Sequence, residues 1–282
     1  MRYIKKLLCC MAVMSTLWVG IGYSYAQEKQ SVLFVAPNRV VIEPKDRIKT
    51  VVVNNKSDKV RRYDITVVNQ VMNEQGLTTR KDNFEYSARP MLRFVPKRFT
   101  LNPGERQVVR VMVRRPPNLS DGDYHSHMLF REVPERDKNK KALLENRNSN
   151  NSAFEIRALY GIAVPVFVQQ GKIESSIAIS DAKLLNNSSL AMSFARTGNA
   201  EASALLRAQY TPPGAQQAVD IMKERWVRMY REVDQISKVY ELKFPEGVSL
   251  QSGGEVTFSL VKPISSSREK VDVLQTQSLK LQ

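Results

Sequence analysis

Two histidines separated by one residue, His125 and His127, are the only imidazole side chains in this chain of 282 residues. Residues i and i+2 of a β-strand point to the same face, so the pair has a spacing that two metal ligands could use. No third ligand can be identified nearby in the sequence. Histidines that pack in the protein or lie on its surface are the simpler interpretation, and we expect neither a metal site nor a cofactor.

The sequence motifs of the common enzyme classes are absent. The chain contains no HExxH, GxxxxGK[ST], GxGxxG or GxSxG segment, which removes the usual signatures of zinc peptidases, phosphate-binding loops, dinucleotide sites and serine hydrolases. A pair of carboxylates that meets only in the folded protein stays open as a catalytic group. Nothing in the sequence supports one, so we expect a protein that is not an enzyme.

Residues 1–26 have the pattern of an export signal. Arg2, Lys5 and Lys6 form a basic start, a long uncharged apolar run follows, and Ala26 ends a small-residue cleavage site. We expect cleavage after Ala26. An uncleaved anchor is the less favoured alternative, because the apolar run is shorter than the roughly 20 residues that a membrane span requires.

The mature chain that this cleavage would leave is basic and has no thiol. Cys9 and Cys10 both lie in the signal, which excludes disulfides and cysteine-ligated metals. Removing the three cations of the signal from the formal net charge of +15 leaves +12. The basic residues are spread along the chain without an aromatic platform, and an exported protein rarely meets nucleic acid. An acidic partner, a membrane surface or a terminal carboxylate fits this charge better.

The first half of the chain has an all-β pattern. Short β-branched or alternating runs are separated by polar turns every 8 to 12 residues, which is typical of a β-sandwich. The runs that we expect to be strands are Val32–Ile42, Ile48–Val53, Tyr63–Val71, Gln107–Val113 and Tyr124–Val133. The charged segment 134–152 that follows is expected to be a long exposed loop, with or without a role of its own.

One strand is predicted to be unusually long, from Ala153 to Val168. One face carries an alternating series of apolar side chains: Phe154, Ile156, Ala158, Tyr160, Ile162, Val164 and Val166. Such a face is either part of the core or a surface for a partner, and periodicity alone favours the core.

A linker at Gln169–Gly171 separates a second series of predicted strands. These are 173–179, 190–194, 204–210, 239–244 and a last one that contains Val261, whereas 218–234 has a pattern compatible with either a helix or a strand pair. We therefore divide the chain into a signal (1–26), a first domain (27–170) and a second domain (171–282).

Five segments in a fixed order resemble the periplasmic chaperones of the chaperone-usher pathway, which escort pilus subunits. They are Asn38–Ile42, Val51–Asn55, the Pro-Gly turn block Phe94–Glu105, the "FREVP" strand end Phe130–Pro134, and Phe194–Asn199 with its R-x-G-N pattern. The resemblance covers most of the mature chain.

This resemblance implies a fold and a mode of action. The fold would be two immunoglobulin-like β-sandwiches arranged as an L, with a cleft between them. The chaperone would act in the periplasm by donating an edge strand to a subunit that lacks one, and would then deliver the subunit to an outer-membrane usher. Phe154, Ile156, Ala158 and Tyr160 would be the donated side chains. Ile162, Val164 and Val166 would stay in the core, and loop 134–152 could shield the donor strand.

The family also binds the terminal carboxylate of the subunit with two cations in the cleft. Arg39 matches the first cation, and a guanidinium can hold a carboxylate with two parallel hydrogen bonds. The position of the second cation is Ala163, so this chain departs from the family there. Arg157, Arg93 or Lys172 could replace it, with Arg157 as the chosen candidate.

The alternative from another class is an exported β-sandwich adhesin or structural subunit. In that case the alternating strand would be core alone. A subunit, however, would be expected to have one domain and an N-terminal donor extension, whereas this chain predicts two domains with the donor-like strand in the middle.

Overall fold

The structure, a computed structural model, describes residues 33–133, 161–264 and 270–281. Residues Val32–Gln282 form one compact unit. Within it, buried side chains form two hydrophobic cores, one from residues 33–168 and the other mostly from residues 177–260. Nearly all regular structure is β, which confirms the predicted class of two immunoglobulin-like sandwiches. Segment 134–152 and the first part of the predicted long strand lie outside the described residues.

The first sandwich contains two facing sheets and a small hairpin. Its elements are β1 (Leu33–Ala36), β2 (Val40–Ile42), β3 (Ile48–Asn55), β4 (Arg61–Val68), β5 (Gln70–Met72), β6 (Thr78–Arg80), a short 3₁₀ turn (Arg89–Met91), β7 (Leu92–Val95), β8 (Arg98–Leu101), β9 (Arg106–Val113), β10 (Gly122–Val133) and β11 (Gly161–Gln170). One sheet has the order β1-β3-β9-β7 and the other β2-β11-β10-β4-β8, while β5 and β6 pair only with each other. The inward side chains alternate as the sequence predicts, and Val51, Val53, Val109 and Val111 are fully buried.

Strand β11 is paired differently along its two edges. One edge pairs antiparallel with β10 along its whole length, from Gly161 to Gln170. The other edge pairs with the short parallel strand β2, and only at residues 166–168. Along 161–165, no strand of the described part of the chain covers that edge. Val164 and Val166 are buried in the first core and Ile162 packs against it, as predicted.

The second sandwich is built from the remaining eight strands. They are β12 (Ser175–Asn186), β13 (Ser189–Gly198), β14 (Ala202–Thr211), β15 (Val219–Asp220), β16 (Arg225–Met229), β17 (Gln235–Glu241), β18 (Glu255–Pro263) and β19 (Val271–Lys280). One sheet has the order β12-β13-β17; the other has the order β15-β14-β18-β19, with β16 also paired to β14.

The ambiguous segment 218–234 contains two strands, β15 and β16, and not a helix; each strand pairs with β14 and not with the other. Its apolar residues recur every three or four positions, but burial alternates along β16. Val227 and Met229 are fully buried, whereas Trp226 and Arg228 are not. Pairing of β16 with Ala202–Leu206 of β14 decides the conformation. Strand β19 is not among the predicted strands, because its side chains are largely exposed and give a weak hydrophobic pattern.

The hairpin β5–β6 crosses from the first sandwich to the second. Met72 is a member of the second hydrophobic core, although it belongs to the first half of the chain. The Glu74 carbonyl accepts a hydrogen bond of 2.8 Å from the Ser237 backbone N–H. The two sandwiches are thus joined by apolar packing and by backbone contacts, in addition to the linker.

None of the helical segments in the described ranges has the length and hydrophobicity needed to cross a membrane.

Candidate functional site

Arg39 lies at the junction of the two sandwiches. It immediately precedes β2, where Val40 and Ile42 turn into the first core, and this anchors the backbone beside β11. Its guanidinium stacks 3.9 Å from the ring centroid of Phe167, a β11 residue that belongs to the second core. Strands β2 and β11 therefore position the Arg39 side chain against the second sandwich.

A carboxylate of the second sandwich accepts hydrogen bonds from both terminal nitrogens of Arg39. Nη1 donates to Glu201 Oε1 at 2.9 Å, and Nη2 donates to Oε2. The Glu201 side chain is only 6% exposed and that of Arg39 25% exposed. Burial, followed by repulsion from the nearby Arg228, lowers the pKa of Arg39 to about 10. Arg39 is thus charged at neutral pH and already paired within the chain.

Hydrogen bonds with the carboxylate and the backbone N–H of Asp123 hold Glu201 and its loop in this position. Asp123, near the start of β10, accepts a hydrogen bond of 2.7 Å from the Glu201 backbone N–H and donates its own N–H to Asn199 O at 3.1 Å. Burial raises the pKa of Asp123 to about 6, although nearby positive charges oppose this shift. The loop 198–201 of the second sandwich is therefore fixed directly on the first.

The two histidines are packing residues of the same junction. His125 is fully buried, and its Nε2 lies 2.9 Å from Glu232 Oε2, while Oε1 of Glu232 accepts a hydrogen bond of 2.7 Å from the Met72 backbone N–H. His127 Nε2 lies 3.4 Å from the Tyr230 hydroxyl, and burial followed by repulsion from His125 lowers the pKa of His127 to about 4.

Aromatic rings surround these histidines. The His125 ring lies 4.6 Å from Tyr230, 4.9 Å from Phe84 and 5.5 Å from Phe167 between centroids. Across the described ranges, no three His, Cys, Asp or Glu side chains come together as a metal site would require. The i, i+2 spacing thus places both rings in an apolar interface between the sandwiches.

The R-x-G-N pattern at Arg196–Asn199 has a structural role. Arg196 is buried and donates to the carbonyl oxygens of four residues, namely Val233, Gly198, Ala200 and Arg231, and to the Asp234 carboxylate. Asn199 holds the linker, because its side chain accepts from Glu174 N and donates to Lys172 O. This pattern orders the loop that carries Glu201.

A cleft of about 650 Å³ is also lined by residues of both sandwiches. The first sandwich contributes Lys81, Phe84 and Tyr86, and the second contributes Arg231 and Asp234. Arg231 stacks 4.2 Å from the Tyr86 ring centroid and so ties the cleft walls together. Arg39 is not part of this lining.

Of the predicted site residues, Arg39 is the one that the structure describes. Phe154, Ile156, Ala158, Tyr160 and Arg157 all lie outside the described residues.

Neither of the other substitute cations contacts Arg39. Arg93 donates to the carbonyls of Pro90 and Leu92, and Lys172 pairs with Glu174. The residues that sequence reasoning missed are Glu201, Asp123 and Arg228, none of which stands out by motif.

Comparison with known proteins identifies one matching protein family. Residues 33–169 match the family described as pili and flagellar-assembly chaperone, PapD N-terminal domain. No curated protein sequence matches the chain.

Several solved structures match most of the chain at low identity. The CupB2 chaperone of Pseudomonas aeruginosa is 11% identical with a TM-score of 0.41, and the match covers 88% of this chain and 100% of that one. The CsuC–CsuE chaperone–tip subunit complex of Acinetobacter baumannii matches at 12% identity with a TM-score of 0.44, and the match covers 86% of this chain and 97% of that one. The E. coli chaperone DraB is 11% identical with a TM-score of 0.40, and the match covers 89% of this chain and 96% of that one.

The matched region includes β1 to β11 and the position of Arg39, and it ends one residue before β11 does. Four of the five segments that carried the resemblance in the sequence lie in this region, from the first strand to the "FREVP" strand end, whereas Phe194–Asn199 lies outside it. Residues 33–169 of this chain are therefore a PapD-type N-terminal domain of the pilus-assembly chaperone family.

Proposed function

We propose that this chain is a periplasmic chaperone that holds pilus subunits by donor-strand complementation and delivers them to an outer-membrane usher. In this proposal residues 1–26 direct export and are removed, 27–170 form the domain that donates the strand, and 171–282 form the second domain. The match of residues 33–169 to the pilus-assembly chaperone family supports the chaperone role, and the alternative of an adhesin or structural subunit is not favoured.

The observation that carries the proposal is the half-open edge of β11. Its residues 161–165 pair with β10 on one side and with no described strand on the other. An unpaired edge presents backbone N–H and C=O groups that another chain can pair with. The segment 154–160 directly precedes this edge in the sequence, so a subunit paired to it would extend the same open edge.

The side-chain alternation gives the donor strand its specificity. Phe154, Ile156, Ala158 and Tyr160 have the same parity as Val164, which is buried in the first core. In an extended chain they would continue that apolar face beyond the sandwich, where a subunit groove could bury them. The two aromatic residues would each bury on the order of 150 Å² and so dominate the contact.

Arg39 is the proposed anchor for the terminal carboxylate of the subunit. Because both of its terminal nitrogens already bind Glu201, an incoming carboxylate must share the guanidinium or displace Glu201. The second cation was expected at Arg157, which stays a prediction.

Co-expression with a candidate subunit in the periplasm tests the donor strand. The unsubstituted chain should give a soluble one-to-one complex, and Ile156→Asp should abolish it because a charge would enter an apolar groove. Leu159→Asp is the matched control: it adds the same charge in the same segment but with the opposite parity, and should retain the complex. A subunit that is equally soluble without the chain would refute the chaperone role. Equal loss for both variants would refute the alternation.

Protein sequencing of the exported form tests the location. We expect a periplasmic form that begins at Gln27. Retention of the first 26 residues in a membrane fraction would contradict this.

A further inference from the structure

The main-chain contacts of β10 show which of its residues pair with β11. Along a strand, the N–H and C=O of one residue point to one edge, and those of the next residue point to the other edge. His125 donates its N–H to the Tyr86 carbonyl at 2.8 Å and accepts from the Ala88 N–H at 3.0 Å. Strand β11 occupies the opposite edge of β10 at His125. The odd-numbered residues of β10 therefore direct their main-chain groups away from β11.

The odd-numbered residues of β11 face away from β10 in turn. His125 lies opposite Phe167, and Pro165 precedes Phe167 by two residues on the same strand. Directly opposite residues of an antiparallel ladder exchange both hydrogen bonds or neither, so Phe167 and Pro165 exchange none with β10. The Gln169 carbonyl, which has the same parity, accepts from Arg115 Nη2 at 3.0 Å. The outer edge of β11 thus consists of the main-chain groups of its odd-numbered residues.

Pro165 lies at the boundary between the open and the paired part of this outer edge. Strand β2 pairs with residues 166–168, and no described strand covers 161–165. One further step of the parallel register would require an N–H at position 165 to bond the Asn38 carbonyl. Proline has no N–H, so β2 cannot extend toward the open part of the edge. The ladder with β10 is not weakened, because the missing N–H would point away from it.

We propose that Pro165 is a positioning residue for subunit binding, which stops β2 and leaves the N–H groups of Gly161 and Ala163 available to a subunit strand. Both of these residues are exposed. The inference rests on the proposed function, since the strand that takes the open edge belongs to a subunit. The two strands then occupy consecutive parts of one edge. Within the described part of β11, Ala163 gives the subunit its last main-chain donor.

A residue with an N–H at position 165 would change this division of the edge. Its N–H could bond the Asn38 carbonyl and so extend β2 by one step. A subunit strand would then have to break that bond before it reached the end of the open edge. The net free energy of one backbone hydrogen bond corresponds to about a tenfold change in an equilibrium constant. Pro165 therefore favours the subunit over β2 at the point where the two strands meet.

Hydrogen exchange of the exported form, followed residue by residue by NMR, tests the assignment without a subunit. The amides of Ile162 and Val164 bond β10 and should have protection factors at least about tenfold higher than those of Gly161 and Ala163. In Pro165→Ala the added amide should be protected by the extended β2, and slow exchange at 162 and 164 would show that β11 is intact. Equal protection along 161–164 would overturn the parity. An added amide that exchanges as fast as that of Ala163 would overturn the role of Pro165.

Subunit capture tests the role in binding. Pro165→Ala should weaken capture of the co-expressed candidate subunit about tenfold, because the subunit has to displace the extended β2. Pro103→Ala, in an exposed turn of the first sandwich, is the matched control and should leave capture unchanged. Equal capture by the two variants would refute the inference alone. If the unsubstituted chain captures no subunit, the proposed function fails, and the exchange of the amide added at 165 still shows whether Pro165 stops β2.

Discussion

Replacing either member of the Arg39–Glu201 pair should destabilise the protein, and the two effects should not add. The pair joins residues 162 positions apart across the junction of the sandwiches. Arg39→Gln leaves the Glu201 carboxylate, 6% exposed, without its cation. Glu201→Gln leaves the more exposed Arg39 facing the like charge of Arg228.

The magnitudes follow from burial. Loss of one partner of a buried ion pair costs about 3 to 5 kcal/mol. Because Arg39 retains a quarter of its exposure, we expect the low end, about 3 kcal/mol, for Arg39→Gln and about 1 to 2 kcal/mol for Glu201→Gln. The double variant has no unpaired charge at this pair, so its loss should be smaller than the sum by roughly 2 kcal/mol.

Urea unfolding followed by the Trp226 emission measures these free energies, provided that the slope with denaturant is unchanged among variants. The exposed pair Arg98–Asp64 is the control, because the Arg98 side chain is 67% exposed. Its cycle with Gln and Asn should give a coupling below about 1 kcal/mol. If the Arg39–Glu201 coupling is no larger than this, the pair does not hold the sandwiches together and the reasoning fails.

Four further predictions concern the same junction. In the unsubstituted chain the raised pKa of Asp123 stabilises the fold by up to about 3 kcal/mol when the carboxyl is protonated, and this stabilisation is lost as the pH rises from about 4 to 6. The slope of unfolding free energy against pH in this range should therefore be more positive in Asp123→Asn. His127→Gln should change the slope in the opposite direction over about pH 4 to 6.5, since the lowered pKa of His127 destabilises the fold in acid; equal slopes in urea titrations of both variants would contradict these shifts. Met72→Ala should cost about 2 to 4 kcal/mol in urea unfolding, against less than about 0.5 kcal/mol for the exposed Leu77→Ala on the same hairpin, and similar losses would place Met72 outside the second core. Arg196→Gln should lower the unfolding free energy by about 3 kcal/mol, because its five acceptors lose their donor; a change below 1 kcal/mol would show that the loop is held without it.

Local pattern was sufficient to predict most of the fold. The β-branched run at Ile48–Val53 and the alternation at Gln107–Val113 correspond to β3 and β9, which pair with each other. The pattern failed where burial depends on partners: β19 is an exposed edge with little contrast between its faces. In 218–234, helical spacing of apolar residues competed with strand pairing, and the pairing prevailed.

The candidate site was predictable only in part. Arg39 could be found because it belongs to a recognisable strand segment. Glu201 and Arg228 could not, because their relation to Arg39 arises from the docking of one sandwich on the other, and no local periodicity records it. The two histidines illustrate the same limit: their spacing showed a shared face, but not that the second sandwich covers it.

The crossing hairpin makes the junction between the sandwiches a poor place to recombine this protein. A chimera that joins residues 27–170 to the second domain of a relative would bring Met72 and Phe167 into a core that evolved around other side chains. It would also separate Glu232 from His125 and Met72. Exchanges that move the hairpin β5–β6 together with the second domain should be better tolerated. The part of this protein that can be exchanged as a whole is then the docked pair of sandwiches and not a single sandwich.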